Sequence, residues 1–267
     1  MAFTFLPGRS KPTVAVLRLQ GVIATGGRLG AGMNDGVLAP MIERAFSKGR
    51  PKAVALLINS PGGSPAQSSL IAARIRRLAE EKQIPVHAFV EDVAASGGYW
   101  LATAADHIWA DETSILGSIG VISSSFGFAD FIARHGIERR VHTAGKSKSF
   151  LDPFRPERPE DVERLKALHA PLHEIFIAQV RARRGAKLDA GEELFDGSFW
   201  LGARAVQLGL ADGIAHLVPK MKEIYGDKVR LRTYGPRRGL LRRLGTEALA
   251  SAVAEVEERS LMARFGL

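Results

Sequence analysis

The sequence predicts an α/β fold of parallel βαβ units, on three observations. Largely apolar runs at residues 13–19 (TVAVLRL), 52–59 (KAVALLIN) and 85–90 (PVHAFV) have the length and composition of buried strands. Segments of helical period stand between them. Two glycine pairs, Gly62-Gly63 and Gly97-Gly98, closely follow the second and third runs, where a parallel sheet gathers its ligand-binding turns.

In chain order, the first strand leads into a glycine-rich loop at 21–32 and a helix to about Lys48, capped by Asn34 or Asp35. The second strand ends at Ser60-Pro61-Gly62-Gly63-Ser64-Pro65, in which Ser64 is an N-cap and Pro65 the first residue of a helix to about Lys82. Ile71, Ile75 and Leu78 give that helix one apolar stripe. The third strand precedes a helix at about 96–104. Short strands are expected at 107–110, 119–123 and 138–142, with a helix at 128–135 ended by Gly136. A polar loop at 143–154 is followed by a long helix over 159–184, which Pro171 should kink. A short helix at 202–208, a strand at 229–233 and an amphipathic helix at 246–264 complete the reading. The expected organisation is a tail (1–12), one domain (13–233), and a basic linker with terminal helix (234–267) that makes oligomer or surface contacts.

Composition narrows the chemistry. At 267 residues and 46% apolar content the chain can fill a real core. It has no cysteine, which excludes disulfides, thiol nucleophiles and thiolate metal sites. HExxH and similar spacings are missing too, so no metal or other cofactor is expected. The net charge of +9 is concentrated in Arg230, Arg232, Arg237, Arg238, Arg242 and Arg243. With no recognition motif or stacking platform beside it, that run does not predict nucleic-acid binding. It suits peripheral contact with an anionic membrane surface instead. Residues 1–12 lack an apolar h-region, and no stretch reaches the ~18 apolar residues of a membrane span, so the expected location is cytoplasmic.

Ser96 lies in Val93-Ala94-Ala95-Ser96-Gly97-Gly98-Tyr99-Trp100, between a strand and a helix start. It reads either as a helix cap or as a nucleophile beside glycines that leave main-chain N–H groups open to an oxyanion. A nucleophilic serine needs a base. His107 and His142 are the histidines near strands, and no spacing selects either. The α/β-hydrolase elbow asks for glycine where Ala94 stands. Lysine is the other candidate, through Lys146 and Lys148, although a solvated lysine pair is the simpler reading of that loop by spacing alone. Gly145-Lys146-Ser147 is no phosphate-binding loop, because Arg140 occupies the place of its first glycine.

Five pieces in order resemble the signal peptide peptidase A family of serine proteases (S49), which has the crotonase/Clp-protease-like fold. They are Leu57-Ile58-Asn59-Ser60-Pro61-Gly62-Gly63; Ala94-Ala95-Ser96-Gly97-Gly98-Tyr99; Leu116-Gly117-Ser118-Ile119-Gly120-Val121; Lys148-Ser149 before Asp152-Pro153-Phe154; and Phe195-Asp196-Gly197 before Gly209-Leu210-Ala211-Asp212. The resemblance covers about 13–215 and is to short, single-unit forms without a membrane anchor. It implies Ser96 as nucleophile, Lys148 rather than Lys146 as general base, Ser118 as the hydroxyl that orients the lysine, and an oxyanion hole of backbone N–H groups at Gly62, Gly63 and Gly97. It also implies a peptide or protein substrate and a homo-oligomer. Two other readings remain: a crotonase-like acyl-CoA hydratase or isomerase, against which no acidic pair stands at the glycine turns, and a non-catalytic assembly or membrane-surface scaffold.

Overall fold

Strands β1 (Thr13–Gln20), β2 (Ala53–Ser60) and β3 (Val86–Ala95) lie side by side and parallel, with β2 in the middle. The computed structural model in which they are seen describes residues 11–25, 32–145, 148–235 and 259–267. β2 is buried along nearly its whole length. Both its faces are covered, which is why it reads as a continuous apolar run and not as an alternation.

The crossovers are helices whose ends are written in the sequence. In α1 (Asp35–Ser47) the Asn34 side chain accepts from the Val37 N–H, and in α2 (Pro65–Lys82) the Ser64 side chain accepts from that of Gln67. Each cap satisfies one of the N–H groups that a helix start leaves without a partner. Arg74 of α2 grips Asp35 of α1 with two hydrogen bonds of 2.7 Å, which holds the Asp35 carboxyl below the usual carboxylate range.

β3 runs five residues further than its apolar stretch suggests. Its register against β2 shifts after Ile58↔Val90, so that Ser60 faces Ala94. The first half of β3 pairs with β4 (His107–Ala110), and the second half, Val93 to Ala95, with β5 (Ile115–Gly117). Between β3 and β4 in the chain stands α3 (Gly97–Ala102). Beyond β5 the sheet continues through an antiparallel strand, β6 (Phe199–Leu201); β7 (Gly213–Ile214) pairs with β4, and β8 (Arg230–Tyr234) adds to β1 at the other side.

The described residues form two compact units, Gly120–Ala178 and the remainder on either side of it in sequence. Within the smaller unit are α4 (Ala129–Arg134) and most of α5 (Pro159–Arg184), which runs through Pro171 as one helix. The Phe128 and Phe154 rings stack there at 5.6 Å, with the Arg139 guanidinium 5.4 Å from the Phe154 centroid. The larger unit also contains α6 (Gly202–Gln207) and α7 (Leu217–Tyr225).

Two expected strands are absent. Residues 119–123 do not form one: the strand is three residues long and earlier, at β5, because only Ile115, Leu116 and Gly117 find partners on β3. Ile122 beyond it is 64% exposed. Residues 138–142 are also irregular, and the Arg140–Glu138 ion pair replaces strand pairing there. β6, β7 and α7 are elements the sequence did not signal. The expected helix at 246–264 falls mostly outside the described residues; 259–263 are helical, and Met262 and Phe265 pack on Val93, Ala95 and Ile115.

Two buried polar clusters hold the frame. Arg184, 3% exposed, makes two hydrogen bonds to Asp212 and a third to the Gly209 carbonyl, while the Tyr99 hydroxyl donates to the Leu210 carbonyl at 2.8 Å. Burial opposes ionisation of Asp212, but hydrogen bonds from Arg184 and Lys187 hold its pKa at about 2. The segment 209–212 therefore anchors α3 through Tyr99.

The second cluster is His87, buried under α7 and stacked on His107 at 5.3 Å. Burial lowers its pKa to about 4, helped by His107 and Lys220 and opposed by Asp106. A folded-state pKa below the unfolded value near 6.5 means that His87 favours the fold fully above that value, and that this contribution is lost as pH falls towards 4. Between pH 7 and 5 we expect the protein to lose about 2 kcal/mol from this group. Urea midpoints at the two pH values should show the loss in the wild type and a smaller one in His87→Gln; equal losses would contradict it.

Candidate active site

Ser96 follows the last residue of β3 and precedes the first of α3. Its backbone has φ 51 and ψ −122, and its side chain makes no cap hydrogen bond. A capping serine has extended backbone and an Oγ that accepts a helix N–H. Ser96 has neither, so the helix-cap reading of its side chain falls. A non-glycine residue held in this region costs on the order of 1–3 kcal/mol, and such residues cluster where function requires the geometry. The surroundings fix it on both sides: the Ser96 N–H donates to the Gly117 carbonyl at 2.8 Å, and its carbonyl accepts from Trp100 at 3.0 Å.

The glycine pairs meet at this serine. A Cβ built on Gly62 would stand 2.8 Å from both the Gly97 nitrogen and the Ser96 Cβ, and one on Gly97 would stand 3.4 Å from the Gly63 nitrogen. Ile23 is laced to the same turn, its N–H donating to the Gly62 carbonyl and its carbonyl accepting from Ser64. Those bonds use the groups flanking Gly63, so the Gly63 amide is turned to the opposite side, towards Gly97. At the start of α3 the Gly97 N–H has no intrahelical partner. The two amides thus come together beside Gly62, whose missing side chain keeps the approach to the Gly97 nitrogen clear, whereas a Cβ on Gly97 would meet the Ser68 hydroxyl oxygen at 2.4 Å.

Ser118 follows Gly117, the partner of Ala95 in the ladder, and is half-buried. It too has positive φ, 53, and its N–H donates to the Ser198 carbonyl at 2.7 Å. Ser96 and Ser118 therefore leave adjacent strands at paired positions. Lys148 belongs to the smaller unit, in a turn where its N–H donates to the Gly145 carbonyl at 3.2 Å, and its side chain is exposed. Lys146 lies outside the described residues. Of the histidines, His107 is paired with the start of β3. That is roughly 25–30 Å along the strand from Ser96 at about 3.3 Å per residue, too far to serve it as a base. His142 is exposed in the smaller unit.

The profile of peptidase family S49 matches residues 78–224. The chain belongs to this family. A Brucella melitensis protein named Na(+)/H(+) antiporter NhaA is 47% identical over 271 residues, covering 95% of this chain and 37% of that protein. The chloroplastic serine protease SPPA of Arabidopsis thaliana is 35% identical over 167 residues, 62% of this chain and 24% of that protein. The chain thus spans well under half the length of these relatives. Among solved structures, a lysine-to-alanine variant of the 1510-N membrane-bound stomatin-specific protease, in complex with a substrate peptide, superposes with a TM-score of 0.53 at 14% identity, over 92% of this chain and 99% of that one. At that identity the likeness concerns the fold, and it bears out the expected crotonase/Clp-protease-like α/β class. No helix among the described residues is long and apolar enough to cross a membrane.

One residue of this site carried no separate signal in the sequence. Ser60, fully buried, donates its hydroxyl to the Gly21 carbonyl at 2.7 Å and accepts from the Gly62 N–H at 3.2 Å. A serine two residues before a glycine at a strand end is the pattern of a side-chain-closed turn, and that pattern would have marked it.

Proposed function

We propose that the chain is a serine endopeptidase with a Ser96–Lys148 dyad, acting on extended, largely apolar peptides within a domain spanning 13–233. The observation that carries the reading is Ser96 itself, held at positive φ beside the two glycine turns with its side chain released from capping. The Lys148 amine takes the Ser96 Oγ proton as Oγ attacks the peptide carbonyl. Ser118 orients the amine. The oxyanion accepts hydrogen bonds from backbone N–H at the Gly62-Gly63 turn and at Gly97. Collapse of the tetrahedral intermediate passes the lysine's proton to the departing amine and leaves an acyl-enzyme, which water then hydrolyses. The substrate peptide held by the stomatin-specific protease variant supports a peptide as the substrate class.

A lysine base must be neutral, which calls for a desolvated setting. The Lys148 side chain is exposed in the single chain, and we assign its desolvation to bound peptide and to homo-oligomer assembly. The smaller unit supports assembly: Ile122, Phe126, Phe131, Ile137 and Leu168 are each more than half exposed, an unusual density of large apolar side chains at a surface. The arginine-rich stretch suits peripheral contact of a cytoplasmic protein with anionic lipid.

A serine-directed phosphonate followed by mass spectrometry tests the reading: a single adduct on Ser96 is expected. Coenzyme A binding without any adduct would favour acyl-CoA chemistry instead. Lys148→Ala should lower kcat by about 10²–10⁴-fold, the usual contribution of a general base. Lys146→Ala should leave kcat unchanged; loss of activity in that variant alone would move the base to Lys146.

A further inference from the structure

We infer that Ser60 is a positioning residue for the oxyanion hole: its buried hydroxyl takes up the Gly62 N–H, so that Gly63, with Gly97, supplies the donors. This rests on the serine-peptidase reading given above.

Ser60 ends β2, and its carbonyl and Cβ stand against Gly98, where a Cβ would lie 2.3 Å and 3.2 Å from them. The residue is thus wedged between the end of β2 and the first turn of α3, with no exposed surface. Its hydroxyl has one proton and lone pairs to accept with, and both capacities are in use. The proton goes to the Gly21 carbonyl at 2.7 Å; a lone pair receives the Gly62 N–H at 3.2 Å. The second bond spans residues i and i+2, closing a turn through Pro61, which has no N–H of its own.

Two consequences follow for the chemistry. The Gly62 amide is committed to Ser60 and is not available to an oxyanion. Gly62 serves the site by lacking a side chain, since its Cβ would stand 2.8 Å from the Gly97 nitrogen. The Gly63 amide owes its direction to the turn that Ser60 closes, together with the bonds from Ile23 to Gly62 and Ser64. Among the described residues, only the Ser60 hydroxyl ties this turn to Gly21 through a side chain, the backbone bond from the Gly21 N–H going to Asn59 at 2.9 Å. Removing the hydroxyl frees the Gly62 N–H to compete for the oxyanion and loosens the aim of Gly63.

The measurement is Ser60→Ala, with Ser60→Cys, of nearly the same shape but a weak hydrogen-bonding group, as a second variant. Outright removal of one oxyanion donor costs about 10²–10³ in kcat. Misdirecting one should cost less, so kcat is expected to fall about 10–100-fold with KM within twofold, and phosphonylation of Ser96 should slow by the same factor. A peptide aldehyde, whose adduct carries the oxyanion, should lose affinity in parallel, while a non-cleavable peptide should not. A purely packing role would lower thermal stability and leave the rate per folded molecule unchanged. Either variant that folds and phosphonylates at the wild-type rate overturns the assignment. Failure of the wild type to be labelled at Ser96 overturns the underlying peptidase reading instead, and the two failures are distinct.

Discussion

Replacing Ser96 by alanine is expected to lower kcat/KM for peptide cleavage by about four to six orders of magnitude, the scale on which removal of an attacking serine acts. A peptide-cleavage assay with a quenched fluorogenic substrate checks it, and undiminished turnover would remove Ser96 from the mechanism. The loss should come without unfolding, because the Ser96 side chain caps nothing and its backbone bonds to Gly117 and Trp100 survive in alanine. Ser96→Gly separates strain from chemistry. Glycine relieves the positive φ of 51 at some cost in unfolded-chain entropy. The net expectation is a gain of about 1 kcal/mol in stability with the same loss of activity. A catalytic serine that the fold would be more stable without is what a strained functional position predicts.

Much of this frame was legible because local chemistry and tertiary packing agree. Asn34, Ser64 and Pro65 announce their helices, β2 announces itself by an apolar run unbroken from Ala53 to Ile58, and β1 by one interrupted only at Arg18 before Leu19. Expectation and structure part where tertiary pairing decides. Val121 and Ile122 have strand composition, yet β5 stops at Gly117 because β3 ends at Ala95 and offers no further partner. Residues 138–142 have no partner strand either. β6 and β7 are three and two residues long, too short for any periodicity to register. At the site, the glycine pairs could be placed on one sheet edge from the βαβ order alone. Their contact with Ser96 could not, since it depends on the register shift after Ile58 that carries Ala94 opposite Ser60. Of the two bonds of the Ser60 hydroxyl, the one to Gly62 is local enough for a pattern to carry; the other is not, because its partner Gly21 is 39 residues away.

Alanine at Gly63 and alanine at Gly62 should fail in different ways, and the contrast is the sharpest test of how this turn is built. Gly63 has φ 134, and an added Cβ would stand 2.0 Å from the Ile23 carbonyl oxygen and 2.9 Å from its carbon. Those atoms are backbone, fixed by hydrogen bonds to Gly62 and Ser64, and cannot rotate away. Relief requires the Ile23 segment to detach, and we expect Gly63→Ala to lose about 3–5 kcal/mol, the range of severe overpacking combined with backbone strain. At Gly62, with φ 104, the nearest atoms to a Cβ are the Gly97 nitrogen, the Ser96 Cβ and the Ala95 carbonyl oxygen, all at 2.8–2.9 Å. The clash is milder, and it falls on the site itself: the methyl group fills the approach to the Gly97 N–H. Gly62→Ala should therefore stay folded at room temperature, destabilised by about 1–3 kcal/mol, while kcat falls about 10²–10³-fold as an oxyanion donor is masked. Thermal denaturation and turnover measured on both variants check the pair. If Gly62→Ala unfolds as readily as Gly63→Ala, the turn is structural throughout; if it folds and turns over normally, the space beside Gly97 is not where the oxyanion forms.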